Sequence, residues 1–85
     1  MPGFRALLRN LPKDVQQQAL AAYRLFKQNP FHPSLHFKRV GKGQPIYSVR
    51  IGLNYRALGL RDPDDQITWY WIGAHAEYDK LVGRF

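Results

Sequence analysis

From Leu11 to Phe26 the apolar residues recur at spacings of three and four: Leu11, Val15, Ala19, Ala22 and Phe26, with Leu20, Tyr23 and Leu25 widening the stripe. Lys13, Asp14, Gln17, Arg24 and Lys27 fall mostly outside it. That is the period of a helix burying one side. Pro12 fits its first turn, where a missing N–H costs little. Asn29-Pro30 ends it, because the residue before a proline is pushed out of the helical region. Phe4 to Leu11 leaves room for a shorter helix in front.

After the stiff connector Phe31-His32-Pro33-Ser34 the pattern changes to alternation, with Leu35 and Phe37 on one side and His36 and Lys38 on the other. This predicts a strand from Leu35. Gly41-Lys42-Gly43-Gln44-Pro45 reads as a turn, Ile46 to Ile51 as a second strand, and Gly52-Leu53-Asn54 as a tight hairpin into a third, Tyr55 to Arg61. Asp62-Pro63-Asp64-Asp65 is the next turn. The strand that follows, Ile67 to Ile72, is apolar on both faces and is expected to be central or covered on both sides. Beyond Gly73, Tyr78, Leu81 and Val82 share one side of a short terminal helix. With no repeats or linkers, residues 1–85 form one predicted α+β domain. Two N-terminal helices pack on one face of a four-stranded, mainly antiparallel sheet, and the other face or its rim is left to basic residues.

A chain of 85 residues buries only about 60% of its unfolded surface, so the core must be rich in large side chains. Two Trp, five Tyr and five Phe supply them. There is no Cys, hence no disulfide or thiolate metal site and no sign of an oxidising compartment. Arg5 and Arg9 interrupt the opening segment, which lacks the apolar run of a signal peptide, and no stretch is long enough to span a membrane. The expected location is the cytoplasm.

Charge sharpens this picture. Between Asp14 and Asp62 there is no acidic residue, yet Arg24, Lys27, Lys38, Arg39, Lys42, Arg50, Arg56 and Arg61 lie there, within a net charge of +7. Six of these eight fall from Lys38 to Arg61, interleaved with strand-forming residues. A basic sheet holds phosphates at fixed positions, whereas a basic tail only attracts them. A nucleic acid is the expected partner, against a plain solvated face or an acidic protein.

His32, His36 and His75 lack metal-ligand spacing, and no Gly-x-x-x-x-Gly-Lys loop is present. No cofactor is implied. Metal-free RNA cleavage is within reach of these side chains. The ribose 2′-OH attacks the adjacent phosphate, which calls for a proton acceptor, a donor to the leaving 5′ oxygen, and cations around the phosphorane. His75 is the acid/base candidate, because imidazole works in either protonation state near neutral pH. Arg56 and Arg50 can fork onto phosphate oxygens, and Lys38 can add a point charge. Other roles stay open for each. His75 also suits a helix cap, Arg56 an ion pair with Asp79 or Glu77, and Tyr78 the core. Lys38 and Arg39 are more secure as basic surface than as catalysts.

Leu11-Pro12-Lys13-Asp14-Val15, Asn29-Pro30-Phe31-His32-Pro33-Ser34-Leu35, Ile46-Tyr47-Ser48-Val49-Arg50-Ile51, Tyr55-Arg56-Ala57-Leu58-Gly59 and Trp71-Ile72-Gly73-Ala74-His75-Ala76-Glu77-Tyr78 together resemble the RelE/ParE toxin superfamily. The more distinctive elements are the tyrosine-arginine step in the third strand and the glycine-x-histidine that ends the fourth. The resemblance implies a small toxin of a bacterial type II toxin–antitoxin pair, with helices against a curved antiparallel sheet. RelE-like members cut messenger RNA on the ribosome without a metal, whereas ParE-like members inhibit DNA gyrase. Carried onto this sequence, Arg56 becomes the transition-state stabiliser and His75 the acid/base, and Tyr78 falls near a family aromatic, which makes it a further catalytic candidate; Arg50 joins the phosphate site on its own chemistry. Lys38, Arg39, Lys42 and Arg61 form the RNA-binding surface. Implied partners are messenger RNA, the ribosome and an acidic cognate antitoxin, with the free protein a monomer or weak homodimer. His75 favours the nuclease over the gyrase inhibitor. A degenerate module that only binds RNA or antitoxin is the further alternative. Typical members open with a β-strand, and here that first strand is expected to be missing or truncated.

Overall fold

The computed structural model describes residues 3–85. Helix α1 (Phe4–Arg9) and helix α2 (Lys13–Gln28) come first. The expected stub of a first strand would fall on Met1 and Pro2, outside the described residues, and α1 follows directly. Pro12 caps α2, and Gln16 clasps the corner between the helices by donating from Nε2 to the carbonyls of Arg9 (3.2 Å) and Leu11 (2.9 Å). The helix ends at Asn29, whose extended backbone is the conformation a following proline imposes. Val15 and Ala19 are buried, whereas Leu20 and Tyr23 remain about half exposed, so the apolar stripe is only partly covered.

The strand expected from Leu35 starts later. Pro33–Leu35 form a 3₁₀ turn, because the His32 imidazole Nδ1 accepts the Ser34 N–H (3.2 Å) and Pro33 presets the first helical φ. His36 then takes a left-handed conformation (φ 46°), which breaks the alternation and confines β1 to Lys38–Arg39. Strands β2 (Ile46–Ile51), β3 (Tyr55–Arg61) and β4 (Ile67–Ala74) follow, then helix α3 (His75–Val82). The sheet order is β1-β2-β3-β4 and every pairing is antiparallel, a simple meander. At the β2–β3 hairpin, Gly52 adopts φ +59°, and the Gln18 side chain occupies the place where a Cβ would stand. A side-chain-bearing residue there meets both strain and a clash.

Strand β4 is an edge rather than a central strand, but it is covered on both faces. Its register explains how. Leu58 lies opposite Trp71 and Gly59 opposite Trp69, which leaves Tyr70 as the extra residue of a β-bulge. Strict alternation puts both tryptophans on the same face; the bulge turns them to opposite ones. Trp69 joins α1, α2, Val49, Ile51, Ala57 and Ile72 in one core, with the Phe26 ring edge-on at 5.4 Å. Trp71 joins Ile46, Leu58, Tyr78, Leu81, Val82 and Phe85 in a second core beneath α3. The face expected to belong to basic residues is thus shared with a helix. Between α1 and α2 lies an open apolar groove of about 480 Å³, walled by Phe4, Leu8, Leu20, Tyr23, Phe26 and Trp69. Among the described residues no helix is long and apolar enough to cross a membrane.

Candidate phosphate-binding site

Two arginines face each other across the central hairpin. Arg50 of β2 is the register partner of Arg56 of β3, and Arg56 is in turn opposite Gly73 of β4. Because Val49, Ile51 and Ala57 point into the core beneath α1 and α2, the two-residue period sends Arg50 and Arg56 to the opposite face, the one that carries α3. By the same count Lys38, opposite Ser48, lies on this face.

Like charges placed directly opposite in an antiparallel pair are destabilising unless something lies between them. Among the described residues no carboxylate fills that role. The ion pairs among the described residues are Arg61–Asp65 and His75–Asp79. Arg50 donates from Nε to the Gly52 carbonyl (3.0 Å), and Arg56 donates from Nη1 to its neighbour's Tyr55 carbonyl (2.8 Å). Each guanidinium has five N–H donors, so most of each fork is left for a ligand. Burial, then the adjacent Arg50 cation, lower the Arg56 pKa from its ordinary value, while Tyr78 and Asp79 push it back up. The destabilisation of the charged form by burial and by a second cation marks a place where an anion is favoured.

The helix after β4 brings a third candidate to the same hairpin. His75 opens α3, and its backbone N–H donates to the Asn54 carbonyl (2.8 Å) at the turn between β2 and β3. Its imidazole Nδ1 lies 3.1 Å from the Asp79 carboxylate, one helical turn on, and is about half exposed. Gly73 has a local reason to be glycine. A Cβ there would stand 2.5 Å from Cζ2 of Trp71, whose indole covers Gly73, the register partner of Arg56.

The remaining candidates divide. Tyr78 goes to the core: it is 7% exposed, and its hydroxyl donates to the Ser48 hydroxyl (3.0 Å), itself 2% exposed. That bond pins α3 to β2. Tyr78→Phe leaves the Ser48 oxygen buried without its partner, and chemical denaturation is expected to show a loss of about 1–2 kcal/mol. An unchanged midpoint would mean that water already serves Ser48. Arg56 pairs with neither Asp79 nor Glu77. Asp79 instead holds His75, a role that the four-residue spacing permits but does not single out. Arg61 lies apart, at the far end of β3, bonded to Asp65 (3.0 Å) and to the Tyr47 hydroxyl (3.1 Å); these two groups raise its pKa. Arg39 turns back onto the Gly41 carbonyl (3.0 Å), and Lys42 is exposed on the following turn. Only Lys38 of the four expected RNA-binding cations shares the face of Arg50 and Arg56. Ser48 and Asn54 are additions that sequence patterns do not reveal, since each acts through a partner distant in the chain.

Among the described residues no cluster of three or more His, Cys, Asp or Glu side chains could hold a metal ion. No curated protein and no solved structure matches the chain. The ParE-like toxin domain matches residues 13–80, which takes in both arginines, His75 and Asp79, and lies within the RelE/ParE superfamily suggested by the sequence. The chain therefore belongs to the ParE-like toxin domain family, the toxin side of toxin–antitoxin pairs.

Proposed function

We propose that this toxin cleaves messenger RNA on the ribosome by internal attack of a ribose 2′-OH, and that no metal takes part. The observation that carries this reading is the Arg50–Arg56 pair, two arginines opposed in register with no carboxylate between them among the described residues. A bridging phosphate turns their repulsion into attraction, and it gains further as charge grows on the phosphorane. His75 takes the 2′-OH proton as the O2′–P bond forms. The P–O5′ bond then breaks, the departing 5′ oxygen takes a proton from water, and the imidazolium returns its proton to the hydroxide so formed, leaving a 2′,3′-cyclic phosphate and a 5′-OH. Lys38 holds the RNA backbone next to the scissile phosphate, and an acidic antitoxin neutralises the same cations.

A second reading is gyrase inhibition, favoured by the ParE-like family that the chain matches. One paired assay separates the two. Protein added to a reconstituted translation reaction is expected to halt synthesis with fragmentation of the message, while gyrase supercoiling in a parallel tube continues. His75→Ala is expected to slow fragmentation by about 10²- to 10⁴-fold, the scale of general acid–base catalysis. Blocked supercoiling with intact RNA would transfer the function to gyrase.

A further inference from the structure

We propose that Asp79 is the positioning residue for His75, fixing the imidazole so that Nδ1 carries the proton and Nε2 is the atom presented to RNA. The inference rests on the nuclease reading for its catalytic meaning and on geometry for its structural part.

Three contacts hold His75, two of them on its ring. The backbone N–H of His75 is tied to the Asn54 carbonyl at 2.8 Å, so the start of α3 is fixed to the β2–β3 hairpin. The ring leans on Tyr78 with centroids 5.9 Å apart, and Tyr78 is itself locked into the core by Ser48. The Asp79 carboxylate then meets Nδ1 at 3.1 Å. A carboxylate only accepts, so at this distance it favours the neutral imidazole with the proton on Nδ1 and the lone pair on Nε2. That arrangement suits a base that takes a proton from a 2′-OH, and it assigns the transferring atom.

Asp79 also stands near a competing cation. Burial and Arg50 lower the Arg56 pKa and the Asp79 charge only partly offsets them, and Asp79 makes no ion pair with Arg56. Engaged by the imidazole, the carboxylate leaves the Arg56 fork to the phosphate. One acidic side chain therefore orients the base without occupying the anion site. An exposed helical pair of this kind contributes little stability, so its value here is orientation.

The test combines a tautomer measurement with kinetics. In protein carrying ¹⁵N-labelled histidine, long-range ¹⁵N–¹H correlations recorded at alkaline pH identify which nitrogen of His75 bears the proton. The Nδ1–H form is expected in the parent protein, lost in Asp79→Ala and regained in Asp79→Glu, whose longer carboxylate still reaches one turn back. In the translation reaction Asp79→Ala is expected to lower kcat roughly 10- to 100-fold, the scale on which an outer partner acts through a functional imidazole, with KM unchanged. Asp79 is exposed, so the variant is expected to fold as the parent does. An Nε2–H tautomer in the parent protein overturns the orientation whatever the activity. Parent kcat in Asp79→Ala overturns the positioning role. Parent protein with the Nδ1–H form but no RNA cleavage upholds the orientation and defeats the nuclease reading instead.

Discussion

Arg56→Ala is expected to reduce RNA cleavage about 10²- to 10³-fold, the loss that follows removal of one donor aimed at a developing oxyanion. Stability should move little, and upward if at all. The substitution removes a half-buried cation whose charged form is penalised by burial and by Arg50 directly opposite. Among the described residues its guanidinium donates to the adjacent Tyr55 carbonyl. Loss of activity at an equal or raised Tm separates a ligand-binding arginine from a structural one. Arg56→Lys is expected to recover only a small part of the rate, since an ammonium cannot offer two parallel donors to a phosphate. Single-turnover cleavage together with thermal melts of the three proteins decides the matter. Full activity in Arg56→Ala would remove this residue from the site, and a large fall in Tm would give it a structural role.

Leu58→Ala is expected to destabilise the domain by about 2–5 kcal/mol, the range for removing a buried leucine side chain. Leu58 is 1% exposed and packs in the cluster with Ile46 and Tyr78, under α3. A domain of this size commonly has only about 5–15 kcal/mol in total, so such a loss is a large share of it. The consequence extends to function. Helix α3 carries His75 and Asp79 and is held to the sheet through this small core and the Tyr78–Ser48 bond. Urea titration is expected to show a lowered midpoint, with cleavage lost at milder denaturant than in the parent. A shift below about 1 kcal/mol would mean that the second core collapses to fill the space, as some sites do.

Much of this architecture was legible in the order of apolar and polar residues. The long helix, its end at Asn29 and the β2–β3 hairpin follow from periodicity and from Pro and Gly placement, which are local properties. What escaped depends on contacts between distant residues. The cap by His32 and the left-handed His36 shortened β1, and the bulge at Tyr70 sent Trp69 and Trp71 to opposite cores. The doubly apolar β4 reads as central or covered on both sides, and the second holds; strict alternation has no place for the extra residue that splits its tryptophans between two cores. At the site, Arg50, Arg56 and His75 were named from residue chemistry and resemblance, and the sheet register sets the two arginines opposite each other. Tyr78 read equally as catalyst or core, and its bond to Ser48, 30 residues away, gives it a packing role. Arg61 counted as basic surface in the sequence, but Asp65 and Tyr47 engage it at the other end of the strand. Net charge records how many cations there are, whereas register decides which of them share a face.

The paired arginines and His75 are proposed to act together in cutting messenger RNA. The most direct measurement is primer extension on a defined message incubated with the purified protein in a reconstituted translation reaction, beside an equal reaction lacking ribosomes. New 3′ ends in codon register, present only where ribosomes translate and absent with His75→Ala or Arg56→Ala, are the expected result. Intact message in both reactions, from protein with a cooperative melting transition, would contradict the claim.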